Sequence, residues 1–148
     1  RDAWNTLASD APPLIRPRLG AAVGELGGAV QTRSATRASR LAIEVARLAL
    51  DLELRYRSAL EIDIERFHLW TQQLRIHASS TDLGGVRGDV AVVEWMRDRI
   101  VRALSREQLR RLDAGLRALR AAADARNLES AADHAARLGA LVRQFPAD

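Results

Sequence analysis

Along most of the chain apolar side chains recur in alternating steps of three and four, the spacing that gathers them on one side of an α-helix. Leu19, Val23, Leu26 and Val30 begin such a stripe; it weakens through Ser34 and Ala38 and resumes as Leu41, Val45, Leu48 and Leu52. Pro17 suits the first turn of a helix, and no proline follows it before Pro146. The pattern therefore predicts one long helix over residues 17–57, roughly 60 Å at 1.5 Å per residue, with two helices meeting near 32–39 as the alternative. Gly20, Gly24 and Gly28 share a face on which close approach of a neighbouring backbone is expected. With Gly27 they make this the least secure stretch, since a glycine in a helix interior costs roughly 1 kcal/mol against alanine.

Further along, Ser58 with Glu61 has the form of a capping box and predicts a helix over 59–78. Its apolar residues fall in two sets, Leu60, Ile64, Phe67, Thr71, Leu74 and Ala78 against Ile62, Leu69 and Ile76, as on a central helix buried on two sides. Thr81 or Asp82 caps the next, 82–104, which carries Val86, Val90, Val93, Ile100 and Leu104. Ser105 with Gln108 is a second capping box, before a helix over 106–124 bearing Leu109, Leu112, Leu116 and Leu119. The last helix, 128–145, is lined by Leu128, Ala131, Ala135, Leu138, Val142 and Phe145 and stopped by Pro146. Residues 1–16 read as an arm with a short helix that packs through Trp4 and Leu7. Short connections make successive helices antiparallel neighbours. The expected fold is all-α: an antiparallel bundle of four to six helices, one domain over 1–148, with no internal repeat.

Composition agrees with helix over sheet: 47% of residues are apolar but only 4% aromatic. Every one of the 23 basic residues is arginine, which with the abundant alanine reads as the codon usage of a GC-rich bacterial genome. A net charge of +4 does not by itself imply a polyanionic partner. The absence of cysteine excludes disulfides, thiolate metal sites and cysteine nucleophiles. A first residue other than methionine leads to the expectation of an exported bacterial protein whose signal segment has been removed, and no apolar run is long enough to predict a transmembrane segment.

Candidate chemistry is sparse. Glu65 and His68, three apart on one helix face, are able to reach a common metal ion, with Glu61 on the same stripe and Glu94 as a further carboxylate from the next helix. A di-iron bundle repeats the Glu-x-x-His motif on a second helix, whereas here the residues three before His77 and His134 are Leu74 and Ala131. One such pair arises by chance in roughly one chain in six of this composition. Arg99, Arg102, Arg106, Arg110, Arg117 and Arg120 form an anion-binding stripe if residues 99–120 are one helix. Without interleaved aromatic residues that stripe argues only weakly for nucleic acid or anionic lipid. Trp70 and Trp95 are candidates to line a shared groove. No nucleophile-elbow, zinc-protease, phosphate-loop or EF-hand pattern occurs, and no cofactor is predicted. These observations favour a non-enzymatic binding or structural domain acting through a helix face or interhelical groove on a protein partner or on itself. A metal-binding bundle and a polyanion-binding face are the alternatives.

Overall fold

The computed structural model describes residues 12–145. Among these, six α-helices and one 3-10 turn form the regular structure, and there is no strand: α1 (Arg16–Gln31), α2 (Ala35–Glu53), α3 (Ala59–Ser79), α4 (Leu83–Ile100), the 3-10 turn Val101–Ala103, α5 (Arg106–Asp124) and α6 (Leu128–Val142). The all-α expectation holds. The arm residues Trp4 and Leu7 lie outside the described residues.

One long helix over 17–57 is not what forms. The chain breaks at 32–34, inside the interval of the alternative reading and where the apolar stripe is weakest. Thr32 Oγ1 donates back to the carbonyls of Gly28 and Ala29 at 3.0 and 3.2 Å. Arg33 then takes a left-handed conformation, φ 53°, which lets Ser34 N–H reach the Ala29 carbonyl at 3.0 Å and closes the helix end.

The chain divides into two compact units, one up to Arg57 and one from Ser58. In the first, α1 packs on α2 around Leu19, Ala22 and Leu48, with Ile15, Val23, Val45 and Leu52 at the margin. Gly24, Gly27 and Gly28 do not mediate that contact. A Cβ added at Gly24, Gly27 or Gly28 would meet open space, because α1 buries Leu19, Ala22 and Ala29 instead.

In the second unit α3 packs against α4 and α6, and α5 packs against the same two helices. Their common core includes Phe67 and Leu74 of α3, Val86, Val90, Val93, Met96 and Ile100 of α4, Leu112 and Leu119 of α5, and Ala131, Ala135, Leu138 and Val142 of α6. On α3 the second apolar set is also withdrawn from solvent: Ile62 is buried, and Leu69 and Ile76 are half-buried. Close approaches of α6 to α3 and of α5 to α6 are at Gly139 and Gly115, where a Cβ would stand 2.4 Å from Thr71 Oγ1 and 2.7 Å from Leu138 Cδ2.

Both capping boxes are formed. Ser58 Oγ accepts from Glu61 N–H at 3.2 Å while Glu61 Oε2 accepts from Ser58 N–H at 2.8 Å; Ser105 and Gln108 do the same at 3.2 and 2.7 Å. The stretch expected as a helix over 82–104 ends its α-helical part at Ile100, and the 3-10 turn then delivers the chain to Ser105. No helix among the described residues is long and apolar enough to cross a membrane.

Candidate functional site

Helix α4 carries polar side chains on three sides, and most of them are spoken for by neighbouring helices. Towards α3, Arg99 donates through Nε to Asp63 Oδ2 at 3.0 Å, with Nη2 2.9 Å from the same oxygen. Asp63 is buried, and Arg66 lies 3.5 Å from its Oδ1. One α-helical span further, the buried Asp89 meets His77 Nδ1 at 2.7 Å. Gly85 makes that pair possible, since a Cβ there would stand 2.6 Å from the imidazole.

Towards α5 there are two arginine–carboxylate forks of opposite sense. Arg120 donates to Glu94 at 3.0 and 2.5 Å, and Arg97 donates to Asp113 at 2.9 and 3.2 Å while also reaching Asp98 at 2.9 Å. The hydrogen bonds that Arg120 donates to Glu94 raise its pKa, and those that Arg97 donates to Asp113 and then to Asp98 raise that of Arg97. Charge-assisted forks of this kind fix the register of one helix on the next.

An imidazole oriented by a carboxylate is half of a catalytic triad. In this chain the other ring nitrogen of His77 faces the Gln73 amide nitrogen at 3.5 Å, and the pair serves as a polar pin between α3 and α4. Neither Asp63 nor Asp89 figured among the residues singled out from the sequence. A signal was available: Asp89 stands three residues after Val86 and four before Val93, on the apolar stripe, and Asp63 is flanked by Ile62 and Ile64. A carboxylate at an apolar position announces a buried partner.

The structure separates the metal candidates. Glu61 is committed to the α3 capping box, and Glu94 is turned to α5 and held by Arg120. Glu65 and His68 remain on α3, half-buried, with His68 Nε2 3.3 Å from the Gln72 amide nitrogen. Among the described residues no three His, Asp or Glu side chains group in a way that would hold a metal ion.

The arginine stripe required one continuous helix and does not have one, because the 3-10 turn and the Ser105 cap intervene. Arg99 and Arg120 are drawn into the seams described above, and Arg110 pairs with Glu107. Arg102, Arg106 and Arg117 are exposed. Of the two tryptophans, Trp70 packs partly buried against the core of its unit, while Trp95 is 57% exposed.

Leu14, Val30, Leu54 and Tyr56 of the first unit are also exposed, but among the described residues of the second unit Trp95 is the large apolar side chain that stands out in solvent, although so large a ring is ordinarily mostly buried. The Arg99 guanidinium lies 5.3 Å from its ring centroid and is itself held by buried Asp63. Trp95 is therefore propped in one orientation by a cation that has little freedom. Around it the outward face of α4 is made of exposed Gly84, Arg87, Gly88, Ala91 and Asp98. A Cβ at Gly88 would touch nothing.

No protein-family model, curated protein or solved structure matches the chain, so the functional reading rests on its own residues.

Proposed function

We propose that this chain is a non-enzymatic helical binding module of a bacterial protein, its helices arranged as an antiparallel bundle, and that it acts through the outward face of α4. The observation that carries the reading is Trp95: an exposed indole braced by Arg99, which is anchored in turn on buried Asp63. Trp and Arg are enriched among the few residues that dominate binding energy at protein interfaces, and side chains already held in place lose little conformational entropy when they are covered. The three-residue link between α3 and α4 and the packing of consecutive helices on one another support the antiparallel arrangement. Asp63, Glu94 and the Asp89–His77 pair are engaged as pins between helices, which supports binding over catalysis at those groups.

Site-specific photo-crosslinking tests this reading. A photoreactive residue replacing Trp95 in the native host is expected to give covalent adducts with protein, and the same residue replacing exposed Arg111 on α5 is expected to give far fewer. Equal yields from the two positions, or none from either, would remove α4 as the working face.

A further inference from the structure

Building on that binding-face reading, we infer that the partner of α4 is a second copy of this chain, with the two α4 helices packed antiparallel about a two-fold axis near Ala91. A two-fold contact requires a surface that complements itself: whatever residue i meets, its counterpart must meet i in return. The exposed side of α4 has this property in both shape and charge.

Gly88 and Trp95 lie two turns apart, about 10.5 Å along the axis at 1.5 Å per residue, and on the same flank of the exposed face. When two such helices run antiparallel with Ala91 near the centre, Trp95 of each copy is carried over Gly88 of the other. The largest side chain of the face then fills the place where its counterpart has none, and Gly88 leaves open space to receive it. On the opposite flank, the same operation sets Arg87 of one copy beside Asp98 of the other, within about 3 Å along the axis. Arg87 is exposed and makes no ion pair among the described residues. Asp98 is 68% exposed, so its contact with Arg97 leaves carboxylate surface for a second arginine. Aligned parallel, the helices would instead set the Gly88 and Trp95 flank of one copy against the Arg87 and Asp98 flank of the other, and neither pairing would form.

The contact is small. An 18-residue helix is about 27 Å long, and one face of it falls at the weak end of stable interfaces. The expected behaviour is a reversible monomer–dimer equilibrium in the micromolar range.

Sedimentation velocity of the purified chain, from low micromolar to about 0.5 mM, tests the inference. The sedimentation coefficient is expected to rise with concentration to that of a dimer. Trp95→Ala and Gly88→Leu, both at exposed positions, are each expected to weaken association at least about tenfold with unchanged helical circular dichroism. Arg87→Asp is expected to weaken it similarly, and Arg87→Asp combined with Asp98→Arg to restore it. A chain that stays monomeric throughout overturns the inference, as does a dimer indifferent to Trp95→Ala or a charge swap that restores nothing. Should the purified chain be monomeric while crosslinks at position 95 still capture another protein, self-association falls and the binding face stands.

Discussion

A single methyl group decides how closely α6 can lie on α3. Gly139 faces Thr71 and His68, and a Cβ there would stand 2.4 Å from Thr71 Oγ1 and 3.0 Å from His68 Nδ1. Thr71 is buried and its hydroxyl is occupied with the His68 carbonyl at 2.7 Å, so it has nowhere to retreat. Gly139→Ala is therefore expected to destabilise the protein by roughly 1–3 kcal/mol through overpacking. Gly24→Ala, by contrast, adds its Cβ to open space inside α1 and gains helix propensity, for a stabilisation of up to about 1 kcal/mol. Urea denaturation of the two variants checks both signs. If Gly139→Ala were neutral, the close approach of α6 to α3 would be wrong.

At the scale of the element, three helix ends share one device. Arg33, Thr81 and Arg126 each take positive φ, at 53°, 54° and 59°. Each is followed by a polar residue, Ser34, Asp82 or Asn127, that begins the next helix. In each, the residue after the left-handed one donates its N–H to a carbonyl five residues back, as Asp82 does to His77 at 2.9 Å, which satisfies a carbonyl the helix end would otherwise expose. Glycine normally occupies such a position, because a Cβ makes the left-handed region cost roughly 1–2 kcal/mol. Thr81, being β-branched, is the most strained of the three. Thr81→Gly is expected to stabilise the chain by roughly 0.5–1 kcal/mol, the relief of strain being partly offset by the greater freedom of glycine in the unfolded chain. Thermal and chemical melts measure it, and a loss of stability would show that the Thr81 side chain contributes more than its backbone costs.

Over the whole molecule charge is unevenly divided. Before Ser58 there are nine arginines against six Asp and Glu; from Ser58 onward there are fourteen against thirteen. The second unit is thus nearly balanced, and three of its arginines, Arg97, Arg99 and Arg120, are drawn to carboxylates across helix seams. Its apolar cluster runs from Ile64 to Phe145. Among the described residues the first unit has a helix pair with three buried residues in its apolar cluster, and two helices alone bury little surface. A fragment of residues 58–148 is therefore expected to keep helical circular dichroism and a single sigmoidal denaturation, whereas residues 1–57 alone are expected to show little cooperativity. A fragment 58–148 without a cooperative transition would show that its core is not self-sufficient.

From α3 onward, spacing along the chain determined where helices form and which side of each is withdrawn from water, because that side depends on residues three and four apart. In α1 the expected stripe failed, since Val30 is exposed while Ala22 and Ala29 are buried. Ser58 and Ser105 went further and marked the helix starts at Ala59 and Arg106, since a capping box is a contact between near neighbours. The break at 32–34 was legible only as an alternative, because a non-glycine residue in the left-handed conformation leaves no local signature. What lay beyond reach was every choice of partner across space. Glu94 could have joined Glu65 and His68, but packing turned it to Arg120; Trp70 and Trp95 looked equivalent until α4 left one of them outside. Helical period determines a face, while the crossing of one helix on another decides which side chains from distant positions meet there, and that geometry exists only once the core has closed.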